Sequence, residues 1–454
     1  MLNSLGRSRD SKHWNGFHAR QIPVDAHEGK RRDVLRRHES VAKSLAHKPR
    51  SKQEPVLEKL LDLVADTRVL RVAFDKLRCE GGQSPGPNGL RYDDLDRFGE
   101  WEMIEALSKP IKEGTYRPGP TRDVKIPKSS GGTRTLSLAN IEDRVVAKAV
   151  FLVIQPLLDP TFEDCSFGGR PGRNREGALA HARYQAEAQG RQIWVIADIK
   201  SAFDKIPFGR LMDLLQQRFP KDLCLLIERL VRRKVKEKVT KQGIQQGCSL
   251  SPLLLNLFLD CHLDKVWKRE FPDLPLIRTV DYILVPVSCK EDVDRAQEGL
   301  QELLVPAGLP LQEKKSEVIH LTKGESTVWL GYGLGWQSNQ LDIHIPEGSW
   351  EALEEAFQKA YESPFPSQSA RECVMGWLDQ LGPAYQHKQQ TLDKVFEMAA
   401  KYAHDELPAR EEMAGGWGRA YGRWESTYGK LPLPSKTCNR FRGSARNRKL
   451  AKLG

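Results

Sequence analysis

The chain has 454 residues, with 71 Lys+Arg against 60 Asp+Glu and a formal charge of +11; at roughly 150 residues per domain this allows about three domains and a large core. No run of eighteen apolar residues occurs, and the longest apolar stretch, Leu253 to Leu259, is broken by Asn256, which excludes a transmembrane helix and a membrane partner. Met1 to Asp10 has charge but no apolar run, so no secretory signal is expected, and the eight scattered cysteines, without a C-x-x-C, exclude a zinc ribbon and point to reduced thiols in the cytoplasm.

The positive charge is concentrated at the ends. Residues 1–53 carry a balance of +8 and residues 430–454 another +8, which leaves a mildly acidic body. Arg31, Arg32, Arg36 and Arg37 at one end, and Arg446, Arg448 and Lys449 at the other, are candidates for phosphate contact by counterion release. Solvated, unstructured tails are the bland alternative.

From Pro55 apolar residues recur at helical spacing (Val56, Leu60, Leu61, Val64, then Val69, Val72, Ala73, Leu77). A turn-rich breaker, Cys79 to Gly89, precedes a helix predicted over Tyr92 to Ile111. Thr121 to Ile126 and Thr133 to Leu138 flank Gly131-Gly132 and read as a β-hairpin. Ile141 to Leu158 is an amphipathic helix, Arg191 to Ile199 a buried strand, and Ser251 to Trp267 a helix. Two short apolar strands bracket a polar tip across residues 276–285; Val293 to Leu304 is helical, strands follow near Val318 and Val328, and only helices are expected beyond Ser349, over 349–363, 367–381 and 389–405. Mixed strands and helices followed by helices alone indicate an α+β unit with a helical appendage.

Two carboxylates stand out. Asp198 closes the strand Ile193 to Ile199, and Asp281 sits at the tip of the second hairpin. A carboxylate at the end of an apolar strand must be hydrated, paired or metal-bound. If the two faced each other they would offer an oxygen-rich site for Mg²⁺ and two-metal phosphoryl transfer. Spacing alone equally allows an ordinary strand end and an ordinary turn residue.

The order of motifs resembles that of reverse transcriptases of the group II intron (maturase) type, from about Leu57 to Trp336. The likeness is carried by Gly114-Thr-Tyr-Arg-Pro-Gly-Pro120 with Val124 to Lys128 and Gly131 to Leu136, by Ile141 to Ala149, and by Ser166 to Arg173. It continues through Ala197-Asp198-Ile-Lys-Ser-Ala-Phe203-Asp204, Gln246-Gly247-Cys-Ser-Leu-Ser-Pro252, Gly308 to Ser316, and Trp329-Leu-Gly331-Tyr. The resemblance implies a right-hand polymerase fold of fingers, a palm with an antiparallel sheet, and a three-helix thumb. It divides the chain into a basic extension (1–53), N-terminal helices and fingers (54–190), palm (191–345), thumb or short maturase domain (346–429) and basic tail (430–454).

The resemblance also implies roles. Asp198, the carbonyl of Ile199, and Asp281 hold two Mg²⁺ ions; Lys128 and Arg134 contact the triphosphate of a deoxynucleotide, with Arg offering a planar fork and Lys a point charge. Phe203 lies beneath the sugar, Gln246 and Gly247 lie near the nascent pair, Lys315 acts as general acid, and Arg170 and Arg173 join the basic ends on an RNA template and primer duplex. Protein partners are not readable. Where the family has Tyr-x-Asp-Asp, this chain has Thr279-Val280-Asp281-Tyr282. Alternation along an extended segment makes Asp281 the principal ligand and leaves position 282 peripheral. Two expectations stay open: attenuated RNA-templated DNA synthesis, or an RNA-binding maturase or scaffold without chemistry.

Overall fold

A computed structural model describes residues 28–80, 82–95, 97–127, 133–235, 238–312, 316–402 and 407–429. Two units cluster separately, one from Arg20–Ala178 with Ile193–Val318, the other from Leu179–Gln192 with Ile319–Pro432.

In the first unit the helix Ile141–Leu158 is the central post. Its residues Val145, Val146, Ala149, Val150, Val153 and Ile154 are all fully buried, because helices meet it on more than one side. One of these is the helix Glu28–Leu45, where His38 and Ala42, four residues apart, share a buried stripe. His38 Nε2 donates to the Val153 carbonyl at 2.7 Å. This part of the basic extension is therefore a docked helix and not a solvated tail. The helix Thr67–Glu80 places Arg71 against Glu100 of the helix Arg97–Lys112 at 2.8 Å, and Arg78 reaches the same carboxylate.

Strands β1 (Arg122–Pro127) and β2 (Thr133–Leu138) form an antiparallel hairpin in register Arg122↔Leu138 to Pro127↔Thr133, as the sequence predicts. A four-stranded sheet has the order β6-β7-β3-β8, with β3 Ile193–Asp198, β6 Ile277–Thr279, β7 Tyr282–Val287 and β8 Glu317–His320. β3 and β7 are antiparallel, from Ile193↔Val287 to Asp198↔Tyr282. Val195, Ala197, Ile283, Val285 and Val287 join one apolar core with Leu253, Leu254 and Leu257 of the helix Ser251–Leu259. Between β3 and β6 in the chain, β4 (Arg232–Val235) and β5 (Lys238–Ile244) pair as a further hairpin.

In the second unit, β9 (Thr327–Trp329), β10 (Tyr332–Gln337) and β11 (Gln340–His344) make an antiparallel sheet ordered β11-β10-β9. Four helices follow, Glu347–Tyr361, Pro366–Gln380, Lys388–Ala400 and Arg410–Trp424, where three were expected. The sheet clusters with these helices, and side chains tie them together: the Tyr332 hydroxyl donates to Gln380 O at 3.0 Å, and Asp342 accepts from His387 Nε2 at 3.0 Å. Trp417 is fully buried and its indole donates to Leu381 O at 2.8 Å, so this ring is core.

The docked helix carries a pH sensitivity. Burial pushes the His38 imidazole below its usual value, and the Val153 bond only partly offsets this. The unfolded chain therefore takes up this proton first, so stability present above about pH 6.5 is lost as the pH falls towards the lower folded value. Thermal melts at about pH 7.5 and about pH 5.5 are expected to show a larger drop for the wild type than for His38→Gln, which keeps a donor without a titrating ring. Equal drops would remove His38 as the cause.

Candidate active site

β6 and β7 are joined by a two-residue turn, Val280-Asp281, flanked by the opposed pair Thr279↔Tyr282. Val280 has φ 59°, and Asp281 is not among the positive-φ residues, the pattern of a II′ turn. Glycine is favoured at that first position; a β-branched residue there is strained, so the surrounding structure must impose the conformation. The turn brings the backbones of the two acids of the sequence reading close together. Asp198 ends β3 opposite Tyr282, and the next amide, Ile199 N, donates to Asp281 O at 3.0 Å. Asp198 O is held in turn by Gln312 N at 2.7 Å.

Two carboxylates and the neighbouring Ile199 carbonyl are hard oxygen donors, the set that suits a divalent cation also bound by water and phosphate. Among the described residues no third His, Cys, Asp or Glu completes a metal-holding group. Position 282 is not peripheral, contrary to the alternation argument. Val280 and Asp281 lie outside the ladder, so the first laddered residue, Tyr282, falls directly across from Asp198. Burial, then Glu317 and Asp198, raise its phenol above the usual value, so it is a neutral group beside the first carboxylate.

Behind the turn lies Arg278, with none of its surface exposed. Its guanidinium donates five bonds: Nε to Asp264 Oδ1 at 2.8 Å, Nη2 to Asp264 Oδ2 at 2.5 Å and Ser166 Oγ at 3.0 Å, and Nη1 to Asn256 Oδ1 at 2.8 Å and Val280 O at 2.7 Å. Every N–H it owns is therefore satisfied. Asp264 reaches this position from a π-helical turn, Asp260–Asp264, that interrupts the helix between Leu259 and Lys265. Sequence reasoning missed this group; the available signal was an arginine inside the apolar run Leu276 to Leu284.

In the same unit, a cavity of about 1320 Å³ is lined by Arg134, Phe203, Gln246 and Gly247, four residues that the resemblance assigned to the nucleotide. A backbone bond joins two of its walls, Ser137 N of β2 donating to Gln246 O at 2.8 Å, and the Gln246 side chain donates from Nε2 to Asp204 Oδ1 at 3.2 Å. Gly247 has φ 104°, and a Cβ there would stand 3.1 Å from Ser137 O, which accounts for glycine at this close approach. Arg134 is exposed on β2. Lys128 and Lys315 lie outside the described residues. On another wall, Asp143 accepts from the Tyr116 hydroxyl at 2.5 Å and from Gly119 N at 3.1 Å; burial raises both acids above their usual ranges. This pair latches the Tyr116–Gly119 loop to the helix Ile141–Leu158.

Residues 126–334 match the family model described as "Reverse transcriptase (RNA-dependent DNA polymerase)". Among curated proteins, the chain is 30% identical over 229 residues to the Putative COX1/OXI3 intron 2 protein of Saccharomyces cerevisiae, covering 49% of this chain and 26% of that protein. It is 31% identical over 201 residues to the Group II intron-encoded protein LtrA of Lactococcus lactis, covering 43% and 32%. Over this stretch the chain is similar to reverse transcriptases, among them proteins encoded by group II introns. Its architecture is α+β, with mixed strands and helices in one unit and a sheet followed by helices in the other. The chain spans a third or less of the length of these two relatives. A solved structure of apo telomerase from Candida tropicalis aligns over 72% of this chain and 69% of that one with 13% identity and a TM-score of 0.41, too distant to bear on function. The reverse transcriptase fold implies dependence on a divalent metal. No described helix is long and apolar enough to cross a membrane.

The basic residues proposed for nucleic acid divide into separate groups. Arg32, Arg36 and Arg37 are exposed on the helix Glu28–Leu45, with Arg36 3.3 Å from Asp33. The Arg31 side chain, Arg446, Arg448 and Lys449 lie outside what the structure describes. Arg170 and Arg173 are corrected: both are buried inside the reverse transcriptase domain. Arg170 binds Asp159 at 2.7 Å together with the carbonyls of Asp159, Glu163 and Ser166, and Arg173 binds Asp164. Burial and these internal bonds take both guanidinium groups away from phosphate. Arg170→Ala is expected to destabilise the chain by about 3–5 kcal/mol in denaturant melts, because it strands a buried carboxylate. A loss below about 1 kcal/mol would show that Asp159 finds water instead.

Proposed function

We propose that the chain carries out RNA-templated DNA synthesis by two-metal nucleotidyl transfer, attenuated by the phenol at position 282. The observation that carries this reading is the closeness of Asp198 and the turn residue Asp281 at the end of the β3–β7 ladder, in the unit whose cavity Arg134, Phe203, Gln246 and Gly247 line. Asp198, Asp281 and the Ile199 carbonyl would hold Mg²⁺; bound there, the ions lower the charge barrier between a primer 3′-hydroxyl and a triphosphate. Phe203 lies under the sugar and disfavours a 2′-hydroxyl. Arg134 and Lys128 orient the triphosphate, Gln246 and Gly247 border the nascent pair, and Lys315 gives its proton to the departing pyrophosphate. RNA template and primer are held through their backbones, with Arg32, Arg36 and Arg37 adding phosphate contacts. The compartment assigned is the cytoplasm.

A second reading, an RNA-binding maturase or scaffold without chemistry, is favoured by one observation: a neutral, half-buried phenol stands beside Asp198 where the family has a carboxylate. Primer extension on an RNA template separates the two. Product that requires dNTPs and Mg²⁺ and falls at least about a hundredfold in Asp198→Ala is expected. Wild type and variant equally inert, with RNA still bound, would leave the scaffold. Tyr282→Asp is expected to raise the extension rate, and an unchanged or lower rate would show that the missing carboxylate is not limiting.

Because the helix Glu28–Leu45 belongs to the core, its phosphate contacts are best tested on the intact chain. Changing Arg32, Arg36 and Arg37 together to Gln is expected to flatten the slope of log affinity against log salt by up to about 2 for single-stranded RNA. An unaltered slope would remove this helix from the RNA surface.

A further inference from the structure

We propose that Arg278 is a positioning residue for the candidate active site: its guanidinium fixes the peptide plane between Val280 and Asp281 and so aims the Asp281 carboxylate at Asp198. This deepens the polymerase reading, but its central measurement does not depend on polymerisation.

The argument starts from the turn. Val280 is held at φ 59°, which a β-branched residue does not adopt without external restraint. Gly168 packs against Val280 N, on the peptide before it; the peptide that follows, whose rotation changes Val280 ψ and Asp281 φ, carries Val280 O on one side and Asp281 N on the other. Arg278 Nη1 donates to Val280 O at 2.7 Å, so rotating this peptide would break a charge-assisted bond to a fully buried guanidinium. The same plane sets the direction of the Cα–Cβ bond of Asp281.

Arg278 is itself immobile. Asp264 holds it with both oxygens, and Asn256 Oδ1 and Ser166 Oγ take two further N–H groups. Its backbone is stitched to the segment before Gly168, with Arg278 N donating to Cys165 O at 2.8 Å and Phe167 N donating to Arg278 O at 2.7 Å. Asn256 Nδ2 closes the ring by donating to Gly168 O at 2.8 Å. Gly168 presses on the turn from outside: a Cβ there would lie 2.6 Å from Val280 Cγ2 and 2.7 Å from Val280 N. The turn is thus held from behind by a planar fork and from the front by backbone.

An arginine that only neutralised Asp264 would need two bonds. This one has five acceptor atoms on four residues, Asp264, Asn256, Ser166 and Val280, the last of them the turn carbonyl. A lysine keeps the charge on Asp264 but has no fork to span these acceptors. Arg278→Lys therefore separates the ion pair from the positioning role.

The test uses the full chain, with Mn²⁺ as a spectroscopic probe of the two carboxylates; the relevant fraction of binding is that lost in Asp281→Asn. Arg278→Lys is expected to bind Mn²⁺ roughly 10–100-fold more weakly, as removal of an outer-shell support does. Its melting temperature is expected to fall, because buried acceptors lose their donors, while the chain stays folded at assay temperature and keeps near-wild-type RNA affinity. In primer extension kcat falls while KM for the nucleotide holds. A folded Arg278→Lys with wild-type Mn²⁺ affinity overturns the proposal. So does a wild type that binds no Mn²⁺ through Asp281. If Arg278→Lys does not fold, Ser166→Ala decides, since it removes one 3.0 Å bond and leaves the ion pair: weaker Mn²⁺ binding supports the proposal and unchanged binding overturns it. Loss of Mn²⁺ binding in Arg278→Lys, with no extension even by the wild type, would uphold the positioning role and sink the polymerase reading instead.

Discussion

A fully buried ion pair, Arg278 with Asp264, stands behind the hairpin that carries Asp281. Removing two charges from water costs several kcal/mol per ion, and the attraction between them recovers this only when the remaining hydrogen-bonding groups are also satisfied. Here they are: burial disfavours the guanidinium charge, Asp264 more than compensates, and Ser166, Asn256 and Val280 take the other donors. The β-sheet alone would bring Asp198 and position 281 close together. What it cannot do is keep a valine in a left-handed turn, and that conformation directs the second carboxylate.

The neighbourhood of Asp198 explains why two functional readings coexist. The ladder places Tyr282 opposite Asp198, and Thr279 opposite Tyr282. Relative to the family pattern, the aromatic ring has crossed from one strand of the hairpin to the other and replaced a charge. The site keeps an aromatic beside the turn and loses one unit of negative charge, a change that weakens attraction for a cation without dismantling the cavity lined by Phe203 and Gln246. Weak chemistry and pure binding are neighbouring outcomes of one substitution.

Much of this was legible in the sequence because it depends on local pattern. The β1–β2 hairpin, the helix Ile141–Leu158 and the strand ending at Asp198 announce themselves by alternation, helical periodicity and turn chemistry. Asp198, Asp281, Phe203 and Gln246 were legible through motif order. The failures have a common cause. Arg170 and Arg173 read as nucleic-acid contacts and Arg278 went unread, because their neutralising partners are 11, 9 and 14 residues away, and Ser166 is 112 residues from Arg278. Whether a charge is buried depends on partners that periodicity does not reveal. The helix Glu28–Leu45 was obscured by its basic residues, since its buried stripe consists of small or polar groups such as Ala42 and His38. The fourth helix beyond β11 is rich in glycine (Gly415, Gly416, Gly418, Gly422), and it forms because tertiary packing around Trp417 overrides a poor intrinsic propensity.

The bond from Ser137 to Gln246 has a mechanical consequence. It couples β2 to the cavity rim through main-chain atoms alone, and Gly247 leaves no side chain in between to act as a cushion. The rim at this point is therefore set by backbone, independently of the side chains that face the void. Substitutions at Phe203 would recontour the chamber while its frame keeps its dimensions.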